Sequence, residues 1–298
     1  MWVNYHDGGT IMRLSNLVGK TPLIKISDKI YAKHEGFNPS GSIKDRMAKY
    51  IIDEAEKFGA IIEGDTIIEA TSGNSGIAFA FLAAERGYNC KIVMPRNMSE
   101  ERKQMLRLYG AELIEVDDGK FDDAIALRDK LALENGWFNP NQFHNPLNIE
   151  AHKQTTAVEI LYQHNKEISA FIDGTGTGGT LMGISQVLKL YHYNMKTIAV
   201  EPAESPVMSG GEPGLHGIQG IGDGSKFLVD LKQVDEIIII STEDAKERAR
   251  QLCKKGIMVG ISSGANILAA ERWIEKNNPI GSVITILCDR GERYLSCI

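Results

Sequence analysis

The segment from Gly174 to Thr180 reads Gly-Thr-Gly-Thr-Gly-Gly-Thr, a composition typical of loops that bind phosphate groups. Glycines let the backbone approach an anion closely, and the threonine hydroxyls add hydrogen-bond donors. An apolar run precedes the segment and a run of helical period follows it, so its end should coincide with a helix N-terminus, where unpaired N–H groups favour anions. We therefore expect a phosphate site, formed by Gly174, Gly176, Thr177, Gly178, Gly179 and Thr180.

The same segment admits two other interpretations. Gly174, Gly176 and Gly179 match the GxGxxG pattern of dinucleotide-binding folds, and Glu201 follows at about the distance of the acid that binds the ribose. A nicotinamide-dependent oxidoreductase is therefore an alternative. The segment could also be a glycine turn that only connects a strand to a helix.

A second polar loop, Thr71 to Gly76, also lies between a predicted strand and a predicted helix. Its backbone N–H groups and hydroxyls form another anion site, of a size suited to a carboxylate. Two anion sites imply two ligands. Taken alone, the loop could equally be an ordinary helix N-cap with turn residues.

Lys44 lies in the segment Asn38 to Arg46, at the start of a predicted helix that runs to Gly59. The positive end of a helix dipole disfavours a cation by a few tenths of a kcal/mol up to about 1 kcal/mol. A lysine at this position suggests a chemical use, because its amine can form a Schiff base with an aldehyde. A solvated surface lysine is the alternative.

A fourth segment, Gly260 to Ala265, follows a short apolar run and opens an apolar helix. Its Ser262 could contact a ligand heteroatom at the carboxyl end of a strand, where open α/β sheets bind ligands. Ser262 could also simply cap the helix.

The elements that must position these segments alternate along the chain. Apolar runs of strand length are followed by longer stretches of helical period, which predicts βαβ units, mainly parallel sheets and helices on both faces. A stretch rich in Asn and Pro, 137–146, separates two groups of strands, so we predict an α/β fold of two lobes with a cleft between them. The predicted strands are 66–70, 90–95, 112–116, 168–173, 196–201, 234–241, 258–261 and 282–288. The predicted helices are 44–59, 77–87, 99–110, 180–191, 243–255 and 265–276.

In this order along the chain, the four segments closely resemble the signature segments of the pyridoxal-phosphate-dependent cysteine synthases, also called O-acetylserine sulfhydrylases. The likeness extends from 19–23, Gly-Lys-Thr-Pro-Leu, to the tail 289–296, Asp-Arg-Gly-Glu-Arg-Tyr-Leu-Ser. That tail and the segment 94–99 are most similar to the B-type branch. The resemblance implies the fold type II, tryptophan synthase β-like architecture. We divide it into an N-terminal lobe, 35–145, and a C-terminal lobe formed by 11–34 and 146–298.

The resemblance also implies a role for each matching residue. Lys44 would hold pyridoxal 5'-phosphate as an internal aldimine and later move the substrate's α-proton. Asn74 would contact the ring hydroxyl of the cofactor, Ser262 its pyridine nitrogen and the Gly174 to Thr180 segment its phosphate. The residues implied in substrate binding are Thr71, Ser72, Gly73, Ser75, Gln142, Gly220 and Asp223.

The implied reaction replaces the β-substituent of an amino acid. O-acetyl-L-serine and sulfide would give L-cysteine and acetate, through an aminoacrylate bound to the cofactor. A serine hydroxyl is neutral, so the ring nitrogen beside Ser262 need not stay protonated, which favours β-elimination over transamination. The first substrate could also be O-phosphoserine or cysteine, and the second thiosulfate, homocysteine or water. A binding protein without activity is a further alternative, although no motif residue is missing.

Asp223 lies in the loop 217–224, where the family often has a small residue. It could be a solvated turn residue. Its carboxylate could instead assist a hydroxyl nucleophile, which would make the protein a cysteine lyase that releases sulfide. Activity like that of cystathionine β-synthase is also open, because only the second nucleophile differs.

The composition limits the partners. Thirty-three Lys plus Arg against thirty-nine Asp plus Glu give a net charge of −6, and no basic run is present, so neither nucleic acid nor an acidic membrane surface is an expected partner. No apolar stretch approaches the roughly 20 residues of a membrane helix. Residues 1–10 lack the pattern of a secretory signal, so we expect a cytoplasmic protein with free cysteines. We expect no metal, because no His-rich spacing is present, and family analogy suggests a homodimer.

Overall fold

The computed structural model describes residues 12–71, 73–117 and 121–297. The strands are β1 (Leu23–Lys25), β2 (Ile30–His34), β3 (Thr66–Ala70), β4 (Asn89–Pro95), β5 (Glu112–Val116), β6 (Ile168–Gly174), β7 (Lys196–Pro202), β8 (Glu236–Ile240) and β9 (Ser282–Leu287). The helices are α1 (Lys44–Lys57), α2 (Asn74–Arg86), α3 (Glu100–Leu108), α4 (Phe121–Asn135), α5 (Leu147–His152), α6 (Val158–Gln163), α7 (Gly179–Tyr191), α8 (Thr242–Cys253) and α9 (Ile261–Asn277). A π-helical segment, Lys153–Ala157, joins α5 to α6.

The strands form two sheets. The larger has the order β1-β2-β9-β6-β7-β8 and the smaller the order β3-β4-β5. All pairings are parallel except that of β1 with β2. Every residue of β9 is buried, as expected of an inner parallel strand that is covered on both faces. The predicted α/β fold with mainly parallel sheets is confirmed, whereas the lobe boundaries at residues 35 and 145 stay a prediction.

Helix α2 shows how the sequence produces the packing. It is apolar on nearly all sides, and its Phe79 and Leu82 are buried against Ile67 and Ile92 of the smaller sheet. A helix with this pattern is stable only inside a core. It ends at Gly87, which has φ +79°, a left-handed conformation that glycine adopts without steric cost. The helix begins at Asn74, and its packing against the smaller sheet holds this first residue in place.

The predicted strand at 258–261 is wrong. Val259 forms only an isolated bridge to Arg290, and α9 begins at Ile261 rather than at Ala265. An apolar run this short does not distinguish a strand from the approach to a buried helix. The early helix start places Ser262 in the first turn of α9. The β1–β2 hairpin and the helices α4, α5 and α6 were not among the predicted elements.

The part of the chain that the structure describes contains no helix long and apolar enough to cross a membrane.

Candidate active site

One cavity is lined by segments that follow strands of both sheets. The space between its walls is about 780 Å³, including the part open to solvent. The predicted residues that line it are Lys44, Thr71, Gly73, Asn74, Ser75, Gln142, Gly174, Gly176, Thr177, Gly178, Thr180, Gly220, Asp223 and Ser262. Gly179 is not in its wall, and Ser72 lies outside the described residues. The structure therefore brings together segments that are far apart in the sequence.

The loop 174–180 joins β6 to α7 and packs so closely that only glycine fits at two of its positions. A Cβ on Gly176 would lie 2.6 Å from the carbonyl oxygen of Gly220. A Cβ on Gly178, which has φ +87°, would lie 2.5 Å from Val229 Cγ2. These glycines let the loop pack against Gly220 and Val229. Gly178 and Thr180, on either side of the first residue of α7, line the cavity, so an anion bound there would meet the helix N-terminus.

Two threonine hydroxyls of the loop line the cavity. Thr177 Oγ1 accepts a hydrogen bond from Asn148 Nδ2 at 2.9 Å, so its own proton can be donated to a ligand oxygen. Thr180 Oγ1 lies 3.2 Å from His152 Nε2. Burial lowers the pKa of His152 well below its usual value, which keeps the ring neutral. A neutral ring adds no charge beside Thr180.

Two residues of the same loop differ from the expectation that the whole segment faces an anion. The Thr175 hydroxyl donates to the Val200 carbonyl oxygen at 3.3 Å, so it is not one of the free donors. Gly179 lies behind the loop, where a Cβ would be 2.1 Å from Asn148 Oδ1. Close packing therefore explains glycine at 179, and a contact of its backbone with the cofactor stays a prediction.

The second predicted anion loop lies beside Gln142. Ser75 Oγ donates to Gln142 Oε1 at 2.6 Å, and Gln142 Nε2 donates to the Ala70 carbonyl oxygen at 3.3 Å. The second hydrogen of Gln142 Nε2 stays available, because an amide nitrogen carries two donors. Gln142 and the Thr71 to Gly76 loop thus form one polar wall, and their role in binding a substrate carboxylate stays a prediction.

A buried ion pair that the sequence did not reveal supports this wall. Glu69 Oε2 accepts the backbone N–H of Gln142 at 3.0 Å, and Glu69 Oε1 is 2.6 Å from Arg128 Nη1. Both side chains are buried. Burial raises the pKa of Glu69, and the charge of Arg128 opposes the rise. The partners are 59 residues apart, so no local pattern could have predicted their contact.

Lys44 is the first residue of α1 and lines the cavity, so the alternative of a solvated surface lysine is wrong. A second ionisable group that the sequence analysis missed, Asp173, lines the same cavity. Burial has the largest effect on the Asp173 carboxyl and raises its pKa to about 7, although the charge of Lys44 acts in the opposite direction. The sequence feature that could have indicated Asp173 is the position of an acid directly before the glycine-rich loop.

Ser262 is buried and does not cap α9. The N-cap residue is Gly260, and it makes no side-chain capping hydrogen bond, so the capping interpretation is wrong. Ser262 hydrogen-bonds Cys288, whose pKa is raised well above its usual value by burial. Asn266 Nδ2 lies 3.6 Å from Cys288 Sγ. Ser262 thus belongs to a polar cluster at one end of the cavity.

The C-terminal tail holds the Asn74 side chain. Asn74 Nδ2 donates to Asp289 Oδ2 at 2.6 Å, and Arg293 donates to Asn74 Oδ1. The Tyr294 hydroxyl also donates to Asp289, and it accepts a hydrogen bond from Arg102 at 3.2 Å. One N–H of Asn74 stays available for a ligand. Its predicted contact with a ring hydroxyl would use that donor.

Asp223 is half-buried and lines the cavity. Asp223 Oδ2 would lie 3.3 Å from a Cβ on Gly176. Burial raises its pKa, while the charges of Lys44, His216 and Arg102 lower it. These surroundings do not match those of a solvated turn residue.

The nicotinamide alternative is not supported by the geometry at Glu201. This carboxylate is buried and accepts the backbone N–H groups of Met208 at 2.8 Å and Ser209 at 3.0 Å, together with the Ser209 hydroxyl. Its oxygens are therefore used within the protein and are not presented to a ribose.

The cavity residues fit pyridoxal phosphate. Lys44 offers an amine to the aldehyde, the glycine backbone and Thr177 offer donors to the phosphate, and Ser262 offers a hydroxyl to the ring nitrogen. Gly176 and Gly178 line the same cavity, and a Cβ at either position would clash with the residues that hold the loop in place.

Comparison with known proteins gives the same family. The model of the family described as "Pyridoxal-phosphate dependent enzyme" matches residues 14–289. A protein named cysteine synthase from Staphylococcus aureus is 44% identical over an alignment of 299 positions, which covers 95% of this chain and 95% of that protein. The structure of a hydrogen sulfide-producing enzyme from Fusobacterium nucleatum is 43% identical with a TM-score of 0.90, and the match covers 95% of this chain and 99% of that one.

A third relative differs in its printed activity. The structure of an O-acetylserine dependent cystathionine beta-synthase from Helicobacter pylori is 37% identical with a TM-score of 0.91, and the match covers 97% of this chain and 98% of that one. Assignment to the B-type branch stays a prediction. The family match and the cavity together show that this chain belongs to the pyridoxal-phosphate dependent enzyme family, as its four sequence segments predicted.

Proposed function

We propose that this protein replaces the β-substituent of an amino acid and that its reaction is that of a cysteine synthase, in which O-acetyl-L-serine and sulfide give L-cysteine and acetate. One observation carries the proposal: a single cavity holds Lys44, the glycine-threonine loop, Ser262 and the Ser75–Gln142 wall. The named Staphylococcus aureus relative, 44% identical over 95% of the chain, supports the same reaction.

Each residue has a defined task in this proposal. Lys44 holds the cofactor and then moves the proton on the substrate's Cα. Pyridoxal phosphate supplies an electron sink for the electron pair that remains when this proton leaves. The Thr71 to Gly76 loop and Gln142 bind the substrate carboxylate, which fixes the orientation of the Cα–H bond toward Lys44. Acetate then leaves from Cβ, sulfide adds at the same carbon, and Lys44 returns a proton to Cα.

Absorbance and product analysis test this function. The purified protein should be yellow, and borohydride should fix the cofactor to the chain. Lys44→Ala should abolish that covalent attachment, whereas Lys57→Ala, an exposed lysine on the same helix, should preserve it. Mass spectrometry after incubation with each amino acid, with and without sulfide, should detect cysteine from O-acetylserine and sulfide. Covalent cofactor on Lys44→Ala, or no cysteine from the wild type, would contradict the proposal.

A second candidate function is the release of sulfide from cysteine with formation of serine. Asp223 favours it, because this half-buried residue lines the cavity that contains Lys44 and its carboxylate could accept a proton from an attacking water. The Fusobacterium nucleatum relative is named for sulfide production. Asp223→Asn should lower sulfide release at least tenfold more than cysteine formation. Equal effects on both reactions would exclude this candidate.

We further propose a cytoplasmic homodimer. Large exposed side chains at the end of α7, Leu190, Tyr191 and Tyr193, offer an apolar surface for a second copy. Sedimentation velocity should give twice the mass of one chain, and cell fractionation should recover the protein with cytoplasmic markers. A monomer at micromolar concentration would contradict the assembly.

A further inference from the structure

Asp173 is a carboxyl group that the reaction described above does not use. It lies near the end of β6, directly before Gly174, and its side chain is 2% exposed. It nevertheless lines the cavity that contains Lys44. A buried carboxylate is costly unless it is paired, so an acid at this position calls for a partner or a proton.

The groups around Asp173 compensate its burial only in part, although the backbone N–H of Gly174 and the charge of Lys44 both favour the ionised carboxylate. The donor that reaches it from α9 is Asn266 Nδ2, at 3.3 Å, and this amide also donates to the Ile286 carbonyl oxygen at 2.9 Å. The neighbouring strand β7 places Ala199 opposite Asp173. The titratable groups that face it are Lys44 from α1 and Cys288 after β9. Lys44 is therefore the one cationic neighbour among these groups.

Binding of the cofactor would make the charge around Asp173 more negative. A phosphate ester carries roughly −1.5 to −2 charges at neutral pH, and attachment uses the free amine of Lys44. Added negative charge near a carboxyl raises its pKa, because it disfavours the ionised form. The pKa of Asp173 is already raised to about 7 by burial, so occupancy of the cavity favours its protonated form further.

We propose that Asp173 is the proton-holding group of the cofactor cavity, a positioning residue whose carboxyl gains or loses a proton beside Lys44 and so sets the charge around the attached cofactor. The proton comes from solvent and returns to it, and no bond of the substrate changes. Asp173 is joined to Ser262 through Asn266 and Cys288, so its charge also acts on the end of the cavity assigned to the ring nitrogen. This inference rests on the proposed function, because it concerns the cofactor attached to Lys44.

The test is a pH titration of the absorption spectrum of the loaded enzyme, which reports the charge around the cofactor without turnover. The wild type should show a spectral transition with a midpoint at or above about pH 7. Asp173→Asn, which keeps the shape of the side chain and cannot ionise, should remove that transition or move its midpoint by one pH unit or more. Asp223→Asn is the matched control, since it removes the other carboxyl that lines the cavity, and it should retain the transition.

A second measurement is used if the Asp173→Asn variant does not bind the cofactor. Infrared difference spectra of the loaded wild type across the same pH range should show the carbonyl band of a protonated carboxylic acid, and Asp173→Glu should shift the midpoint. An unchanged transition in Asp173→Asn, a transition lost only in Asp223→Asn, or no carboxylic acid band in the wild type would overturn the inference. If one of these results occurs and the wild-type protein is still yellow and its cofactor is fixed by borohydride, only this inference fails and the proposed function stands. A colourless wild-type protein would contradict the proposed function itself.

Discussion

Removal of the arginine in the buried Glu69–Arg128 pair should destabilise the protein strongly and weaken substrate binding. The two side chains are 0% and 1% exposed and their closest atoms are 2.6 Å apart. Arg128→Met would leave Glu69 buried without its cation, and loss of one partner of a buried pair typically costs about 3–5 kcal/mol. Because Glu69 also accepts the N–H of Gln142, the substrate wall should loosen and the KM for the amino acid should rise.

Urea denaturation at several pH values measures this effect. Burial raises the pKa of Glu69 in the folded protein and Arg128 opposes the rise, so the variant raises that pKa further. A folded state with the higher pKa binds the proton more readily than the unfolded state. The stability deficit of Arg128→Met should therefore be largest at neutral pH and shrink as the pH falls toward the ordinary glutamate value of about 4.3.

The control is the double variant Glu69→Gln with Arg128→Met, which removes both charges. It should be more stable at neutral pH than Arg128→Met alone, because no unpaired carboxylate is left in the core. A deficit below about 1 kcal/mol for Arg128→Met, or a double variant that is no more stable, would refute the argument that charge compensation holds this wall in place.

Three other changes test the site and its surroundings. Ser75→Ala leaves Gln142 Oε1 without its 2.6 Å donor, so it should cost about 1–3 kcal/mol in urea denaturation and raise the KM for the amino acid, whereas Ser75→Thr, which keeps the hydroxyl, should behave like the wild type. Gly179→Ala puts a Cβ 2.1 Å from Asn148 Oδ1 and should raise the Kd for pyridoxal phosphate at least tenfold by absorbance titration. Gly64→Ala, which introduces backbone strain at φ +92° but has no atom within 4 Å and lies outside the cavity wall, should leave that Kd unchanged. Burial raises the pKa of Asp45 from 3.8 to about 6, so the stability that this group contributes is present below pH 3.8 and is lost as the pH rises through about 6. Asp45→Asn should lack this loss in thermal melts between about pH 4 and pH 6, and an unchanged pH profile would contradict the assignment.

The strands of the parallel sheets were the part of the fold that could be predicted best. The runs at 66–70 and 112–116 form β3 and β5 with the predicted bounds, because each is a short segment rich in β-branched and aliphatic residues between two stretches of helical period. The short strands of the β1–β2 hairpin escaped prediction, since Leu23–Lys25 and Ile30–His34 are too brief and too polar for a clear period. The run at 258–261 was wrongly predicted to be a strand, because it is apolar only as the approach to a buried helix.

The candidate site shows the same division. Lys44, Asn74, Ser262 and the Gly174 to Thr180 loop could be proposed because each is a local pattern at a junction between a loop and a helix, and the structure places all four at one cavity. The role of Asp173 depends on neighbours that come from other elements, so the sequence showed it only as an acid at the end of a strand. The tail residues that hold Asn74 lie more than two hundred positions away in the chain, and their contact could not be inferred from spacing.

The amino-acid sequence by itself determined which residues can carry the chemistry, because helix starts, glycine turns and apolar periods depend on interactions between near neighbours. The tertiary structure alone decided which of these residues meet, how deeply the carboxyls of Asp173, Asp223 and Glu69 are buried, and which cation faces each of them. Those properties set the charges in the site, and they depend on desolvation and on distances between atoms of different elements, neither of which a local pattern contains.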